Sequence, residues 1–569
     1  MKKLNILTKT LIVLLAISLG SCKKTLDSIT ANPNSATPAS ADVDLYLNKV
    51  ELSFKDFYTT TSDYGAQLSR QQNWGGPLYR NNYSPPDFDG IWTNAYQNVI
   101  NNANAMIPLA QAQKKFVQSG IAKVLKAYTL GTLVDDFNDV PYTQAELGVS
   151  NPNPVADPAA SVYVAVQALL DDAIADFAKT GGVAAGTDLF YGGSAVNWTT
   201  CAKTLKLKFY MQTRLVDNTV APKIKALLVE NNLIKTAAQD FVFKFGPNNN
   251  IPDSRHPHYT NSYQATGGAG EYLSNYFMWE VASQKYNGTV NLTGDPRLRY
   301  YFYREATNYA WANVQTCPCY PNSQFGTSTF PAWYPAVPTV TPYCVIGRGY
   351  LGRDHGDNSG APPDGPFRTA YGVYPVGGQF DADQAAIVTL TLGGGGAGIH
   401  PIWLSSYTAL LEAEAAIKLG LTDVASARTL LQTGVTASIT KVMGFPATVN
   451  VTPAVASVPS ATQVTNYINL VLSNYDNAAT DDARLNVVMT EYHIAAFGNG
   501  VEAYNNLRRT GMPFNLQPAV AVANPGFFMR SFYYPSVYIN RNLSAAPQKT
   551  PGDAVNKVFW DNNPDTFIK

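Results

Sequence analysis

Amphipathic helical patterns fill both ends of this chain and nearly vanish from its middle. The clearest pattern runs from Val162 to Phe177, where apolar residues recur every three or four positions and three aspartates take the opposite side. A chain patterned in this way folds into a mainly α-helical protein in which each helix buries one face. We predict a helical scaffold over about 41–240 and 400–512, a loop-rich half over about 241–399, and a C-terminal loop segment over 513–569.

The helical patterns occur in consecutive pairs with short joints, as in helical repeats, although no strict repeat period is present. Asp157 is the expected cap of the helix that begins near Pro158. Farther on, one helix is expected over Asp423 to Thr433, a segment that wraps outside the body over Gln432 to Ser460, and a single helix over Asp481 to Arg509. In the loop-rich half, helical periodicity persists only near Glu271 to Ser283.

The N-terminus carries the pattern of a signal peptide. Three lysines within the first nine residues precede the uncharged run Leu11 to Leu19, which is far shorter than the roughly 20 residues of a membrane-spanning helix. Gly20 and Ser21 then lead to Cys22, an arrangement similar to the lipobox of bacterial lipoproteins. We predict a signal peptide over 1–21, lipidation of Cys22 with palmitate among its acyl chains, and an extended tether over 22–40. The alternative is an ordinary secretory signal that leaves Cys22 as a free thiol.

Composition limits the classes of ligand. The 569 residues carry 41 basic and 41 acidic side chains, so the chain lacks the basic excess typical of nucleic-acid binding. Only 14% of residues are charged, whereas 12% are aromatic. Such a surface suits neutral polar or sugar-like ligands, because aromatic faces cover apolar ring faces without net charge.

An ordered set of motifs resembles the SusD/RagB family of outer-membrane nutrient-binding lipoproteins, and its SusD-like branch in particular. After the lipobox-like stretch the matching segments are Asn32 to Asn34, Leu133 to Tyr142, Trp198 to Arg214, Gly294 to Leu298, Gly352 to Gly365, Ala413 to Gly420, Tyr492 to Pro513 and Tyr534 to Asn542. The resemblance covers nearly the whole mature chain.

The resemblance implies a fold of tetratricopeptide-like helical pairs with a large loop-rich insertion. It also implies a lipid-anchored protein at the cell surface that traps an oligosaccharide, or sometimes a peptide. Its partner would be a SusC-type TonB-dependent transporter barrel, and it would bind its ligand without reaction and without a cofactor. Two alternatives stay open: a secreted glycoside hydrolase with paired carboxylates, and a purely structural cap of the transporter.

The first candidate ligand site is the Gly- and Pro-containing loop after the first helix. It combines flat rings with planar polar groups, which together suit sugar rings and hydroxyl pairs: Gln72, Asn73, Trp74, Tyr79, Arg80, Asn81 and Tyr83. The alternative is that Trp74 only packs this loop onto the body. The second candidate is the aromatic stretch with Tyr320, Trp333, Tyr334 and Arg348.

Cysteines and acidic turns are the remaining candidates. In an oxidising compartment Cys344 would pair with Cys317 or Cys319, whereas a zinc site lacks a fourth ligand. Asp354 and Asp357 are candidate ligands of a structural calcium ion, and the alternative is that they only shape their Gly-rich turn.

Charged residues elsewhere are assigned to the scaffold. His256 and His258 are expected on a loop surface, with a metal pair that lacks two further ligands as the alternative, and the other three histidines, His355, His400 and His493, are expected to be isolated. Lys203, Lys206, Lys208 and Arg214 are expected on a solvated helix face. Arg508 and Arg509 are expected in the last turn of a helix that Gly511 ends.

Overall fold

The computed structural model describes residues 42–76, 79–145, 147–184, 186, 188–265, 267–286, 290–307, 348–357, 367–519, 527–549 and 556–564, without the side chains of Arg80, Asn81 and Val149. The predicted signal peptide, Cys22 and the tether lie outside these residues. So do Tyr320, Trp333, Tyr334, Cys317, Cys319 and Cys344.

The prediction of a mainly α-helical protein is confirmed. The helices before residue 240 are α1 (Val43–Leu68), α2 (Tyr79–Asn82), α3 (Asp89–Trp92), α4 (Asn101–Ala112), α5 (Phe116–Phe137), α6 (Ala159–Phe177), α7 (Ala195–Gln212) and α8 (Val220–Glu230). A π-helical stretch, Thr93–Ile100, joins α3 to α4, and from α4 to α8 each helix packs against the next. No described helix has the length and apolar character that crossing a membrane requires.

The second group of helices follows residue 404. It comprises α12 (Ser405–Leu419), α13 (Ala427–Thr448), α14 (Ala461–Asp476), α15 (Asp481–Ala495) and α16 (Gly500–Thr510). Helix α16 packs on α1, so the two ends of the chain share one hydrophobic core. The tetratricopeptide-like character of the helical pairs stays a prediction.

Short elements occupy the middle of the chain and its C-terminal segment. These are β1 (Phe241–Lys244), α9 (Pro257–Ser262), α10 (Asn275–Ala282), α11 (Leu298–Tyr301), β2 (Phe302–Arg304), β3 (Thr369–Tyr371), β4 (Ile399–Trp403) and α17 (Ser536–Ile539). Strand β1 pairs antiparallel with β4, with Lys244 opposite Ile399, and β2 pairs antiparallel with β3. Single turns of 3-10 helix lie at Pro85–Phe88, Gly148–Ser150, Ala237–Gln239, Gln284–Tyr286 and Val455–Ser457.

Two helix predictions after residue 420 are wrong. Helix α13 extends to Thr448, so the segment expected to wrap outside is largely helical and buries Val435, Ile439 and Val442. The single helix expected over Asp481 to Arg509 is two helices. Gly498 has a φ of +92°, and the side chain of Asn499 accepts a hydrogen bond from the backbone of Glu502, which starts α16 anew.

The expected cap of α6 is also wrong. The carboxylate of Asp157 accepts hydrogen bonds from the backbone amides of Tyr142 and Thr143, at 2.7 and 2.9 Å. The carboxylate of Asp139 accepts one from the amide of Ala159 at 2.8 Å and takes the capping role instead. The cap of α6 therefore comes from Asp139, which is distant in sequence, and not from the neighbouring Asp157.

Buried ion pairs join the two groups of helices. Lys208 is only 3% exposed and pairs with Glu502, so its expected place on a solvated helix face is wrong. Lys203 and Lys206 stay partly exposed and pair with Glu230 and Asp171.

The two arginines of α16 belong to the scaffold, as predicted. Arg508 donates to the carbonyl oxygens of Asp135 and Arg530, at 2.6 and 2.9 Å. Arg509 pairs with Glu414 on α12 at 2.7 Å. Gly511, with a φ of +70°, then ends the helix.

Candidate functional site

The loop after α1 is held against two distant segments of the chain. The backbone amide of Asn73 donates to the carbonyl of Tyr272 at 3.2 Å, and the amide of Gly356 donates to the carbonyl of Trp74 at 2.8 Å. Ser274 and Arg353 form a parallel β-bridge, which links the segment that contains Tyr272 to the segment that contains Gly356. We call residues 71–76, 269–275, 351–357 and 367–369 the loop cluster.

Trp74 lies inside the loop cluster rather than on its surface. Its ring is 1% exposed and stacks between Tyr79 and His355, with centroid distances of 4.7 and 4.6 Å. This position favours the alternative that Trp74 packs the loop onto the body. A ligand contact by the rings of Trp74 or Tyr79 stays a prediction.

A series of side-chain hydrogen bonds stabilises this stack of rings. The hydroxyl of Tyr79 lies 2.8 Å from Nε2 of His355 and accepts a hydrogen bond from Arg70 at 3.0 Å. Arg70 in turn donates to the carbonyl of Gln517 at 2.9 Å. Burial and the positive charge of Arg70 lower the pKa of His355 well below its usual value, so this imidazole is neutral.

The partly exposed side chains of the loop cluster centre on Tyr272. Guanidinium carbons of Arg353 and Arg368 lie 4.7 and 4.0 Å from the centroid of its ring. The backbone of Asn73 lies beside that of Tyr272, because its amide donates a hydrogen bond to the Tyr272 carbonyl. Gln72 forms an isolated antiparallel β-bridge with Leu273. A flat ring is thus flanked by two guanidinium groups, and the backbone segment that carries Gln72 and Asn73 lies beside it.

Several buried polar atoms of the loop cluster lack a hydrogen-bond partner. Within the described part of the chain these include Oε1 of Gln71, Oδ1 of Asn73, Nε of Arg368 and Nδ1 of His355. Leaving a buried donor or acceptor unpaired costs about 1 to 3 kcal/mol, and such groups are uncommon in folded proteins. These atoms are buried, so they belong to the interior of the loop cluster and not to its accessible surface.

Three residues of this cluster, Tyr272, Arg353 and Arg368, were not among the predicted site residues. Tyr272 fell within a predicted helical stretch, and the two arginines lie 81 or more residues farther along the chain. Their assembly follows from bridges between segments, for which one sequence offers no local signal.

Of the other predicted ligand residues, Tyr83 is partly buried and donates its hydroxyl to Gln67 at 2.5 Å. Arg348 is exposed, and its carbonyl accepts from Arg304 at 3.0 Å. The side chains of Arg80 and Asn81 are outside the described set, as are Tyr320, Trp333 and Tyr334. The cysteine pairing is likewise untested, whereas Cys201 is a buried free thiol.

The predicted positions of the histidines are wrong. His256 and His258 are buried rather than on a loop surface, and the ring of His400 lies 4.9 Å from that of His256. His493 is not isolated either, because its Nδ1 lies 2.6 Å from a carboxylate oxygen of Glu280. His400 lies on β4 and His256 directly precedes α9, so their proximity depends on the tertiary structure.

His258 ties the loop cluster to α1. Its Nε2 lies 3.0 Å from Asp63 and 2.9 Å from the side-chain amide of Gln72, and its Nδ1 lies 3.1 Å from Glu271. Burial disfavours the charged imidazole, but the carboxylates of Glu271 and Asp63 outweigh burial and raise the pKa of His258 well above its usual value.

The candidate calcium ligands have protein partners. Oδ1 of Asp354 accepts from the amides of Asn275 and Gln517, at 3.2 and 3.0 Å, and Asp357 pairs with Arg353 at 3.1 Å. Among the described residues, no group of three or more His, Cys, Asp or Glu side chains is placed to hold a metal ion. A structural calcium ion at this turn stays a prediction.

Two family models match the chain. Residues 35–320 match a SusD-like family described as "Starch-binding associating with outer membrane", and residues 399–559 match a family described as "Susd and RagB outer membrane lipoprotein". Among curated protein sequences, none matches significantly.

Solved structures also resemble this fold. A SusD/RagB family protein from Bacteroides thetaiotaomicron is 18% identical, with a TM-score of 0.64, over 92% of this chain and 100% of that one. A chitin-binding SusD homologue from Flavobacterium johnsoniae is 19% identical, with a TM-score of 0.58 and the same coverage. A SusD homologue from Bacteroides fragilis is 16% identical, with a TM-score of 0.60, also over 92% and 100%. At these identities the likeness establishes the fold.

Proposed function

This chain belongs to the SusD/RagB family, and on that premise we propose that it captures an oligosaccharide at the loop cluster and delivers it to a SusC-type TonB-dependent transporter. The ligand is bound and released without covalent change. A peptide, a hydrolysable glycan and a purely structural cap are outcomes that binding and product measurements separate.

The observation that carries the proposal is the surrounding of Tyr272. Its partly exposed ring offers apolar area to a sugar face, and the side chain of partly exposed Arg368, with its guanidinium carbon 4.0 Å from the ring centroid, offers hydrogen-bond donors. Sugar hydroxyls accept hydrogen bonds, so one hydroxyl-rich ligand can contact the ring and the guanidinium together.

The relatives guide the choice of ligand. One structural relative is named as a chitin-binding SusD homologue, and one matching family carries a starch-binding description. Oligosaccharides of N-acetylglucosamine and of glucose are therefore the first probes to test.

Binding is tested by calorimetry on the mature chain with these two oligosaccharide series and with a neutral peptide. Arg368→Gln is expected to weaken binding of the retained oligosaccharide at least tenfold, because it removes the guanidinium beside Tyr272. The matched control is Arg428→Gln on α13, whose guanidinium pairs with exposed Asp476 and should leave affinity unchanged. If both variants bind the oligosaccharide as tightly as the wild type does, the binding site does not lie in the loop cluster.

The same incubations distinguish binding from hydrolysis. Mass spectrometry of the recovered oligosaccharide should show unchanged chain length and no new reducing ends. Shortened products would favour the glycoside hydrolase. Failure of every glycan to bind, with the peptide retained, would identify the peptide class, and failure of all probes would favour the structural cap.

We propose lipid attachment at Cys22 and display at the cell surface. The basic start, the short apolar run and the small residues before Cys22 support this proposal. Cys22→Ala should abolish incorporation of labelled palmitate and shift the protein out of the membrane fraction. Continued labelling of that variant would contradict lipidation at this residue.

A further inference from the structure

A concavity lies outside the loop cluster and shares none of its residues. It has a volume of about 650 Å³ and lies between the β1–β4 pair, the turn before β1 and helix α13. That volume is within the roughly 300 to 1,000 Å³ of small-molecule sites. We call it the lysine groove, after Lys235, Lys244 and Lys441 in its lining.

The wall of the lysine groove combines apolar and polar side chains. Val242 and Ile399 contribute apolar groups from the paired strands, Phe445 and Val449 from α13 and its end, and Phe245 from just beyond β1. The polar lining residues include Thr236, Asp240, Ser405, Thr440 and Thr448 besides the three lysines. No asparagine, glutamine or arginine is among the described lining residues. The lining therefore lacks planar amide and guanidinium groups, and it suits a ligand that has both an apolar body and a charged group.

The charges of the groove leave one lysine uncompensated. Lys441 pairs with buried Asp240 at 2.9 Å, and Lys235 pairs with buried Glu412. Lys244 is exposed and makes no ion pair with any described residue. The second oxygen of Asp240 accepts a hydrogen bond from the amide of Ser405 at 2.8 Å, so this carboxylate is fully occupied. The net result is one uncompensated positive charge at the rim of the concavity.

Gly444 on α13 keeps part of the groove open. A Cβ atom at this position would meet nothing within 4 Å, and the backbone is helical, so neither packing nor a positive φ requires glycine. Glycine inside a helix costs about 1 kcal/mol relative to alanine. The helix thus carries an unfavourable residue at an exposed position in the lining of the groove, where a larger side chain would have room.

We propose that the lysine groove is a second binding site, for a small amphipathic carboxylate. The apolar body of the ligand lies against Val242, Ile399 and Phe445, and its carboxylate pairs with Lys244. This site is separate from the proposed nutrient site, and each can fail without the other.

The probes are 4-phenylbutanoate and its neutral analogue 4-phenylbutanamide, titrated into the mature chain by calorimetry. The carboxylate should bind about two- to fivefold more tightly than the amide, because only the carboxylate pairs with the exposed ammonium of Lys244. Lys244→Met should reduce the carboxylate to the affinity of the amide. Equal affinities of the two probes for the wild type would overturn the proposal.

A steric variant tests the location. Gly444→Leu should abolish binding of both probes, because its side chain occupies the groove, while the unfolding midpoint is kept or raised by the better helix former. Gly90→Leu is the matched control, since Gly90 is also a helical glycine at which an added Cβ atom would meet nothing within 4 Å, and it should leave binding unchanged. Undiminished binding to Gly444→Leu would place the site elsewhere. Oligosaccharide affinity should be the same in the wild type and both variants.

Discussion

The indole of Trp74 is held on both sides by other rings. Because Tyr79 and His355 stack on it, its removal opens a cavity in a region that also carries the buried side chain of Arg70. The ring therefore contributes to the shape of the loop cluster through packing.

Trp74→Ala should lower the free energy of unfolding by about 3 to 5 kcal/mol, as other buried aromatic truncations do. Urea denaturation measures the loss, and calorimetry gives oligosaccharide affinity per folded molecule. Unchanged stability with a loss of affinity of about tenfold or more would instead make Trp74 a ligand contact.

A second residue with a specific electrostatic signature is Glu51 on α1. Burial, a hydrogen bond to Asp188 and the charge of that carboxylate raise the pKa of Glu51 to about 10. Asp188 accepts hydrogen bonds from the backbone of Phe190 and from the indole of Trp198, at 2.8 and 2.7 Å. Glu51 is thus a neutral acid in the folded protein near neutral pH.

The stability of the Glu51→Gln variant relative to the wild type should increase as pH rises. The unfolded chain ionises Glu51 above pH 4.5, whereas the folded chain keeps the proton until about pH 10, so the wild type loses stability between these values. Between about pH 5 and pH 8 the variant should gain on the order of 4 kcal/mol relative to the wild type. Chemical denaturation at both pH values measures the difference, and a difference that does not change with pH would contradict the protonated state.

Helices α1 and α16 approach so closely that their contact requires glycine. A Cβ atom on Gly65 would overlap the backbone of Gly500, and one on Gly500 would overlap the backbone of Ser62 and Ala66. The amide of Gly500 also donates to the hydroxyl of Ser62 at 2.9 Å. This contact joins an element near the start of the described chain to one near its end.

Gly500→Ala should destabilise the protein by about 1 to 3 kcal/mol or more, because backbone atoms cannot move aside as a flexible side chain can. Gly90→Ala is the matched control, and it should be neutral or slightly stabilising since its Cβ meets open space. Thermal unfolding of the two variants provides the comparison. A Gly500→Ala protein as stable as the control would mean that the two helices can separate without loss.

Across the whole molecule, Glu414 connects three helices. It accepts from Arg214, just beyond the end of α7, at 2.8 Å and from Arg509 on α16 at 2.7 Å, and it lies on α12 with no exposed side-chain surface. Burial alone would raise the pKa of Glu414, but the two guanidinium groups outweigh burial and lower the pKa to about 2. The ionised carboxylate thus joins the first group of helices to the second.

Glu414→Gln should cost about 3 to 5 kcal/mol at neutral pH, because it leaves two buried guanidinium groups without their counter-charge. The stabilisation by Glu414 is present above pH 4.5 and is lost as pH falls toward about 2, so the variant should lose less stability than the wild type over that interval. Denaturant melts at about pH 7 and pH 3 measure both effects. Asp476→Asn, which breaks an exposed pair, is the control and should leave stability essentially unchanged.

Helix content and family were predictable from the sequence, because hydrophobic periodicity and motif order are local properties of a chain. The scaffold role of Arg508 and Arg509 was predictable for the same reason, since both stand in the last turn before Gly511. The capping role of Asp139, the ion pair of Lys208 and the length of α13 were not, because each depends on a neighbour that packing supplies.

The loop cluster and the lysine groove were both decided by tertiary structure. Tyr272, Asn73 and Arg368 meet only after bridges form between three segments, and Lys244 and Lys441 line one groove although they lie far apart in the chain. Periodicity specifies which face of a helix is buried, but it does not specify the partner. Contacts between distant residues follow from how all the faces pack at once, and that information is spread over the whole chain.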